Sequence, residues 1–404
     1  MGKPIFGNNY ITFEKNSFYL DKTLITNLQK CYKTPFFVFM RNKIIKNVQI
    51  FNSTLADVFN SYRFFYSTKA NYLEEILKII SGCSVPFEIL SEFEYNLIKN
   101  NGLNTENLLV GGPYLPKSFI NSVIKEKNLI FVIYSIEDLK KLNEIAIIKN
   151  QPKIRVILRF KSNKKNSFLG LFDDEETLQL LSKELGNLSN LKVVGILSHY
   201  GTQLNIIEKY VSNAKFISNL ACKLEDLGIL VPKIFNFGGG FPNASACKKN
   251  MLKLIFSEVK KTVENCGYNN ITYFFEPGRF IVGDTGVAVI EIINKFPKRK
   301  LIYVNAGGYI LPRFAKNAHR IYNLNHSLKN YNTPINIHGI TSSDTDILAK
   351  NYNFIKNSSL GDKLLVTNCG AYSLTFSNRF PYKFPQIVFI DKNNHYLIKS
   401  SIFH

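Results

Sequence analysis

Eight short apolar runs recur between residues 62 and 275, and they limit the possible folds of this chain more than any other feature. The runs are 62–66, 86–90, 108–110, 129–134, 154–158, 193–197, 234–237 and 272–275. Amphipathic stretches such as 137–147 and 174–185 separate them. Apolar strands that alternate with amphipathic helices are typical of a parallel sheet buried on both faces. Eight such units over about 220 residues predict a (β/α)8 barrel.

The pattern changes after about residue 281. Strand-like runs follow at 287–290, 301–304, 335–337, 364–366 and 386–390, with turns and few helices between them. This spacing predicts an antiparallel β domain. Before the barrel, residues 1–34 carry strand-like patches and no obvious helix, 36–40 is an apolar run typical of a buried strand, and 42–59 has a helical pattern.

These patterns predict three parts. Residues 1–35 form an amino-terminal segment that joins the β domain, 36–280 form the barrel, and 281–404 form the carboxyl-terminal β domain. The predicted class is α/β.

The basic composition limits the classes of partner. Lys and Arg number 51 against 30 Asp and Glu, a formal net charge of +21. Such an excess favours acidic partners. Because the basic residues are spread along the chain, with short clusters only at 161–165 and 295–300, we expect no nucleic-acid binding.

Neither the cysteines nor the apolar runs indicate a metal site or a membrane. No two of the six cysteines have metal-ligand spacing, so no metal is expected. The amino terminus lacks the apolar core of a signal peptide, and no apolar run is long enough to span a bilayer. The sequence therefore predicts a cytoplasmic protein with reduced thiols.

Chemically distinctive residues follow four of the predicted strands. Lys69 follows the first, His199 a later one, three successive glycines at 238–240 the next, and Glu276 the last. In a (β/α)8 barrel the active site lies at the carboxyl ends of the strands. We therefore expect these residues to lie close together.

Each residue type has a chemical use at such a site. A buried lysine is costly unless its amine is neutral or compensated, and a Schiff base meets that need. Glycines let backbone amides approach an anion, and Gly278-Arg279 adds an amide and a guanidinium suited to phosphate. His199 offers a flat face for stacking, and Glu276 could keep a pyridine nitrogen protonated.

Taken singly, each has an ordinary alternative: a snorkelling lysine, a tight turn, a core histidine or a surface carboxylate. Together they predict a site for pyridoxal 5'-phosphate, with the lysine forming the aldimine and the carboxylate maintaining the electron sink.

Five segments, taken in order, resemble the fold-type III pyridoxal-phosphate decarboxylases, the family of ornithine, arginine and diaminopimelate decarboxylases. The segments are Ser67-Thr68-Lys69-Ala70-Asn71, His199-Tyr200-Gly201-Thr202-Gln203, Gly238-Gly239-Gly240-Phe241-Pro242, Glu276-Pro277-Gly278-Arg279 and Gly370-Ala371-Tyr372. The resemblance covers nearly the whole chain. It implies a TIM-like barrel of the alanine racemase type followed by an antiparallel β domain.

By that resemblance, Lys69 is the Schiff-base lysine, His199 stacks on the cofactor ring and Glu276 meets the pyridine nitrogen. Glu88 and Arg159 match positions that line the family's cofactor pocket. The candidates for holding the phosphate are Thr202, Gly239, Gly240, Gly278, Arg279 and Tyr372, with Gly238 beside them. The family is dimeric, and its β domain completes the active site across the interface.

The sequence departs from the family in its β domain. The family carries Gly-Pro-x-Cys, then an acidic or small residue, then Asp four positions after the cysteine. Here the segment is Gly339-Ile340-Thr341-Ser342-Ser343-Asp344-Thr345-Asp346. Asp346 matches the Asp, Ser342 stands in place of the cysteine, and Ser343 stands in place of the neighbouring acid.

The two replacements bear on the substrate. In the family, that cysteine comes from the partner subunit and delivers the proton to Cα, which makes Ser342 a candidate catalytic residue. The neighbouring acid reads the distal ammonium of ornithine or diaminopimelate. Without both, those substrates are disfavoured, unless another acid such as Asp344 takes over.

The region from residue 305 to 314 resembles family members that act on modified or conjugated amino acids more than it resembles those that act on free diamino acids. Examples are glutamyl groups on carrier proteins, siderophore intermediates and the aminocarboxypropyl group of nucleotide-peptide antibiotics such as microcin C. A carrier protein or a nucleotide conjugate is acidic, which the net charge would favour. The candidate substrate residues are Arg313, Ser343, Asp344 and Asp346.

We therefore expect a homodimeric, pyridoxal-phosphate-dependent α-decarboxylase of an amino acid or amino-acid conjugate, in a biosynthetic pathway. Two alternatives stay open. One is a non-catalytic homologue that regulates a partner enzyme, which the missing cysteine supports and Lys69, His199, Glu276 and Arg279 oppose. The other is an amino-acid racemase on the related barrel. Release of carbon dioxide would distinguish the decarboxylase from both the non-catalytic homologue and the racemase.

Overall fold

The computed structural model describes residues 3–164, 167–312, 319–326, 328, 330–392, 394–400 and 402–403. The chain forms two compact units. The barrel unit comprises residues 48–242 and 247–278, and the β unit comprises 1–47, 243–246 and 279–404. No helix in the described ranges is both long enough and apolar enough to cross a bilayer.

The first elements of the chain lead from the β unit into the barrel unit. They are β1 (Lys3–Ile5), β2 (Asn8–Glu14), β3 (Ser17–Leu20), β4 (Thr23–Leu24), α1 (Ile25–Cys31), β5 (Phe36–Met40) and α2 (Arg41–Ala56). Strands β1 to β4 form a small sheet of their own in sequence order. Helix α1 is absent from the sequence-based prediction, because a seven-residue helix is too short to show a clear apolar period.

The barrel unit is a parallel sheet with helices between its strands. Its strands are β6 (Tyr62–Phe64), β7 (Tyr66–Ser67), β8 (Phe87–Ile89), β9 (Leu109–Val110), β10 (Ile130–Ile133), β11 (Ile154–Phe160), β12 (Leu191–Ser198), β13 (Ile234–Asn236) and β14 (Thr272–Phe275). Its helices are α3 (Glu74–Gly82), α4 (Glu92–Asn100), α5 (Lys117–Val123), α6 (Ile136–Ile148), α7 (Glu175–Leu185), α8 (Ile207–Asp226) and α9 (Lys249–Asn265).

The sheet closes through the first predicted strand, which is broken at Phe65. Strand β6 pairs with β14, whereas β7 pairs with β8. At the break, the Phe65 amide donates to the Phe275 carbonyl at 2.9 Å and the Tyr66 amide donates to the Pro86 carbonyl at 2.8 Å. The two halves thus join both ends of the sheet, and the predicted (β/α)8 barrel is confirmed.

Packing and capping explain why these segments form the barrel. Buried side chains from opposite strands fill its interior, among them Phe65, Ile130, Ile157, Leu197 and Phe274. Helices α4 and α6 begin shortly after a strand with a side-chain cap: Ser91 accepts from the Glu94 amide, and Ser135 accepts from the Asp138 amide. Each cap turns the chain away from the strand end, so the residue between strand and helix is held at the mouth of the barrel.

The remaining elements belong to the β unit. They are α10 (Arg279–Val282), β15 (Gly286–Phe296), β16 (Leu301–Val304), β17 (Ile321–Asn323), β18 (Thr333–His338), β19 (Ile347–Phe354), β20 (Lys363–Val366), β21 (Gln386–Asp391) and β22 (Asn394–Ile398). The predicted antiparallel sheet is confirmed for most pairs, but β16–β18 and β5–β21 run parallel.

Strand β5 lies in this sheet, between β15 and β21. The sequence-based boundary placed residues 36–280 in the barrel, whereas the structure places the strand at 36–40 in the β unit. All five residues of β5 are buried, as in a barrel strand, and apolarity on both faces does not reveal which strands will be its neighbours.

Candidate active site

Lys69 lies in one turn of 3-10 helix, Thr68–Ala70, directly after β7. Its Nζ donates to both carboxylate oxygens of Glu88, at 3.1 and 3.3 Å. Glu88 is buried in β8 and also accepts from Ser67 Oγ at 2.5 Å. Since β7 and β8 pair with Ser67 opposite Glu88, the sheet register itself supplies the lysine with its counter-charge.

Glu276 follows β14 and is 8% exposed. Its Oε1 accepts from Asn236 Nδ2 at 2.8 Å. Burial, and after it the nearby Glu88, raises the pKa of Glu276 to about 7, against the opposing effects of Lys69, Arg159 and the Asn236 hydrogen bond. Near neutral pH this carboxyl is therefore only partly ionised in the cofactor-free protein.

His199 follows β12, and the preceding carbonyl, that of Ser198, accepts from Asn213 Nδ2 at 2.9 Å. Burial lowers the pKa of His199 to about 3, and the positive charges of Arg159 and Lys69 add to that effect. The imidazole is therefore neutral at physiological pH. It also packs against the glycine turn, since a Cβ on Gly238 would lie 2.7 Å from His199 Nδ1.

The turn at 238–240 needs glycines because other backbone segments pass close to it. A Cβ on Gly239 would lie 2.5 Å from the Glu276 carbonyl oxygen, and one on Gly240 would lie 2.3 Å from that of Gly201. Gly240 also has φ +96°, which side chains disfavour. The predicted reason for these glycines was the approach of an anion, and close packing of strand ends already requires them.

Two hydrogen bonds fix this turn to its neighbours. The Glu276 amide donates to the Gly238 carbonyl, and the Leu204 amide donates to the Gly240 carbonyl, each at 2.9 Å. Thr202 is exposed in the loop after β12, two residues before Leu204. Gly278 packs against the turn that contains Lys69, since a Cβ added at Gly278 would lie 2.8 Å from the Ala70 Cβ.

Arg159, near the end of β11, contacts a residue that the sequence analysis missed. Its Nη1 donates to the Tyr134 hydroxyl at 2.6 Å, and its Cζ lies 4.6 Å from the centre of the Tyr134 ring. Arg159 Nε is buried with no hydrogen-bond partner among the described residues. The available signal was position, because Tyr134 is the last residue of a predicted strand and so lies at the catalytic end of a barrel.

Arg279 and Tyr372 meet within the β unit. The Arg279 Cζ lies 4.9 Å from the centre of the Tyr372 ring, and Arg279 is 5% exposed. The Gly370 amide donates to the Gly283 carbonyl at 3.0 Å, and a Cβ on Gly370 would overlap the Val282 carbonyl. The Gly370-Ala371-Tyr372 segment is thereby packed against the helical turn that begins at Arg279.

The Ser342 loop is also in the β unit. Ser342, Ser343 and Asp344 are exposed, whereas Asp346 is buried. The Asp346 carboxylate accepts from the Gly308 amide at 2.7 Å, from the Thr341 amide at 2.9 Å and from Thr341 Oγ1 at 2.6 Å. Asp346 therefore orders its own loop. Arg313, the remaining candidate substrate residue, lies outside the described residues.

Most of the predicted residues are thus distributed among three groups in the two units. The barrel unit brings Lys69, Glu88, Arg159, His199, Gly238, Gly239, Gly240, Glu276 and Gly278 to the carboxyl ends of its strands. The β unit holds Arg279 with Tyr372, and separately the exposed Ser342 loop. An amine, two buried carboxylates, a neutral imidazole and a guanidinium are a donor set for a polar, anionic ring compound.

A comparison with protein families agrees with this donor set. A family model described as pyridoxal-dependent decarboxylase, pyridoxal binding domain, matches residues 41–283, more than half of the chain. The chain belongs to the pyridoxal-dependent decarboxylases. These enzymes are carboxy-lyases that use pyridoxal phosphate, and the resemblance in the five sequence segments is confirmed.

Individual relatives of this decarboxylase are distant but cover most of its length. A diaminopimelate decarboxylase of Aquifex aeolicus is 23% identical over 404 residues, covering 92% of this chain and 90% of its own. An L-glutamyl-[BtrI acyl-carrier protein] decarboxylase of Niallia circulans is 23% identical over 385 residues, covering 89% and 88%. The crystal structure of diaminopimelate decarboxylase from M. jannaschii superposes with a TM-score of 0.86 at 19% identity, covering 98% and 96%, which shows the shared fold.

The residues of the barrel unit fit pyridoxal phosphate. Lys69 supplies the primary amine that an aldehyde requires, and the amine lies beside a carboxylate. Glu276 is a buried carboxyl whose partner, Asn236, occupies only one of its oxygens. The buried Arg159 Nε has no acceptor among the described residues, and an unsatisfied buried donor favours an incoming polar group.

Proposed function

We propose that this decarboxylase removes the α-carboxyl group of an amino acid or amino-acid conjugate, in a biosynthetic pathway. The observation that carries the proposal is the Lys69–Glu88 pair at the carboxyl ends of two adjacent barrel strands, with Glu276 and His199 at the ends of others. When bound, pyridoxal phosphate supplies an electron sink for the pair of electrons left as carbon dioxide departs.

The chain's own groups have distinct roles in this proposal. Lys69 is the residue that holds the cofactor aldehyde, and Glu88 keeps its nitrogen oriented. Glu276 pairs with the pyridine nitrogen, and His199 stacks on the ring as a neutral group. The residues proposed to bind the phosphate are Thr202, Gly238, Gly239, Gly240, Gly278, Arg279 and Tyr372.

The charge balance supports these assignments. Because the pKa of His199 is lowered to about 3 by burial, stacking against it adds no positive charge to the ring. Because the pKa of Glu276 is raised to about 7, chiefly by burial, a cationic ring nitrogen can draw this carboxyl into its ionised form. Opposite charges at short distance favour ionisation of both partners.

The Ser342 loop supports a proposal for the substrate class. Both Ser342 and Ser343 are exposed and uncharged, and an unpaired distal ammonium would lose several kcal/mol if buried beside them. We therefore propose a substrate without that ammonium, or one that carries it in a conjugate. The carrier-protein decarboxylase among the relatives supports this class. The diaminopimelate decarboxylase is equally similar to this chain. The residue at position 343 is therefore what favours one substrate class over the other.

Protonation at Cα needs a donor other than Ser342. A serine hydroxyl is a far weaker acid than a cysteine thiol, whose ordinary pKa is about 8.5. Of the two nearest candidates named by the sequence, His199 is neutral with a pKa of about 3 and holds no proton to spare on its acceptor nitrogen. We propose that Lys69 Nζ, once it no longer holds the cofactor and carries a proton, would deliver that proton, and that Ser342 positions water or substrate.

A homodimer with shared active sites is part of the proposal, by resemblance to the family. Retention of the Lys69–Glu88 pair speaks against a non-catalytic regulator, and membership in the decarboxylase family speaks against a racemase.

The test has two measurements. Borohydride reduction followed by peptide mass spectrometry should locate the pyridoxyl group on Lys69. Lys69→Ala should lose this group and also the visible absorbance of the bound cofactor. Lys78→Ala, on the exposed face of α3, is the matched control and should keep both. An adduct on another lysine would overturn the site assignment.

The second measurement is a screen for carbon dioxide release. Candidate amino acids and conjugates are supplied to the purified protein, and products are identified by mass spectrometry. Poor turnover of ornithine, lysine and diaminopimelate together with efficient turnover of a conjugate would support the substrate class. Efficient turnover of a free diamino acid would show that another acid, such as Asp344, reads its ammonium.

A further inference from the structure

Tyr134 occupies the same edge of the barrel as the cofactor residues, and none of the roles above uses it. It directly follows β10, and Ile133 pairs with Leu158 of β11 in parallel register. The next residues along the two strands, Tyr134 and Arg159, therefore lie side by side at the strand ends. Both belong to the barrel unit.

The contact between the two residues is specific. Arg159 Nη1 donates to the Tyr134 hydroxyl at 2.6 Å, and the guanidinium carbon lies 4.6 Å from the ring centre. A short hydrogen bond from a charged donor, combined with a cation–ring contact, fixes both the position and the plane of the guanidinium. In the described ranges, Arg159 forms no ion pair with a carboxylate within 4.0 Å.

The phenol holds Arg159 without cancelling its charge. Burial raises the pKa of Tyr134, although Arg159 and Lys69 partly oppose the effect, so the hydroxyl stays neutral. An aspartate or glutamate at this position would have formed a salt bridge instead. The uncompensated guanidinium is then able to act on its surroundings, where it lowers the pKa of His199 and opposes the raised pKa of Glu276.

We propose that Tyr134 is a positioning residue of this active site, which holds the Arg159 guanidinium at the strand end with its full charge directed toward the cofactor residues. This inference rests on the proposed function. Without the hydroxyl, the guanidinium is expected to turn toward one of the two buried carboxylates, Glu88 or Glu276. That movement would take the positive charge away from His199, which it helps to keep neutral, and would spend it on an ion pair with one carboxylate.

The test compares Tyr134→Phe, Arg159→Met and the double variant in the full-length protein. Equilibrium dialysis gives the dissociation constant for pyridoxal phosphate, and thermal unfolding of the cofactor-free protein gives stability. Tyr134→Phe should weaken cofactor binding about tenfold, the size expected for a hydrogen bond to a charged group, with little change in unfolding temperature. The double variant should bind no more weakly than Arg159→Met alone.

A spectroscopic readout separates positioning from general support. In Tyr134→Phe the visible absorbance of the bound cofactor should titrate at higher pH than in wild type, because a held positive charge lowers the pKa of a titrating neighbour. Tyr95→Phe is the matched control, since it removes a tyrosine hydroxyl bonded to Glu126 elsewhere in the barrel unit. It should change neither binding nor titration.

Two results would overturn the inference. One is wild-type cofactor affinity and wild-type titration in Tyr134→Phe. The other is full additivity of the Tyr134 and Arg159 effects, which would show that the two side chains act independently. Either result, obtained while wild type still carries its pyridoxyl group on Lys69, would refute the role of Tyr134 and leave the proposed function intact.

Discussion

Glu276 shows at the residue scale how burial changes the ionisation of a carboxyl group. Its pKa is raised from 4.5 to about 7, chiefly by burial and then by Glu88. In the unfolded chain the same group ionises near 4.5. Folding therefore takes up a proton between these two values, and the free energy of unfolding falls as pH rises from about 4.5 to about 7, by up to about 1.4 kcal/mol per pH unit.

We predict that Glu276→Gln flattens this pH dependence in the cofactor-free protein, because an amide takes up no proton. Thermal unfolding between pH 4.5 and 8 measures it. Some slope will remain, since burial also raises the pKa of Glu94 to about 7. The exposed Glu208→Gln serves as the control, and an identical slope in Glu276→Gln and wild type would refute the raised pKa.

The glycine turn at 238–240 is the element on which the others at this end of the barrel converge. It accepts hydrogen bonds from the Glu276 and Leu204 amides and packs against the His199 ring. One three-residue turn therefore sets the spacing between the strand ends that carry the imidazole and the carboxylate.

We predict that Gly240→Ala destabilises the protein by roughly 1–3 kcal/mol, because its Cβ would lie 2.3 Å from the Gly201 carbonyl oxygen and its φ is +96°. Cofactor affinity should fall as well, since the strand ends must separate. Denaturant unfolding and equilibrium dialysis measure the two effects. Gly82→Ala is the control, because a Cβ there meets nothing within 4 Å at the end of α3.

At the scale of the whole molecule, the position of the Ser342 loop makes assembly testable. This loop is exposed in the β unit, as expected of a segment that completes a partner's site. We predict a dimer in sedimentation, and inactivity of Lys69→Ala and of Ser342→Trp when each is assayed alone. Ser342→Trp adds bulk at an exposed position, so folding should be preserved.

Mixing and re-equilibrating the two variants should restore activity. Random pairing makes half of the dimers hybrids, each with one of two sites intact, so recovery should reach about a quarter of wild type. Lys69→Ala mixed with itself is the control. A fully active monomer, or hybrid dimers without recovered activity, would refute shared sites.

The net charge of +21 makes a second prediction at this scale. If the substrate is an acidic conjugate, long-range attraction raises its capture rate and salt screens that attraction. We predict that KM for the conjugate rises several-fold between about 0.05 and 0.3 M salt while kcat stays constant. Steady-state kinetics measure this, with a net neutral amino acid as the comparison substrate. A salt-independent KM would show that the net charge does not contribute to substrate capture.

The sequence by itself determined the barrel and the strand-end residues, because both depend on local patterns. A parallel strand buried on both faces must be apolar throughout, and its catalytic residue must follow it directly. Lys69, His199 and Glu276 could therefore be found from position and type alone, and the five-segment resemblance supplied the cofactor.

Only the tertiary structure decided which strands and side chains are neighbours. The apolar run at 36–40 joins the β unit because β15 and β21 pair with it, and apolarity carries no record of the partner. The Lys69–Glu88 pair depends on the register of β7 and β8, and the Tyr134–Arg159 contact depends on that of β10 and β11. The hydrogen bonds from the Gly308 and Thr341 amides to the Asp346 carboxylate likewise appear only in the structure. Contacts between residues distant in the chain follow from packing and register, which a local pattern does not contain.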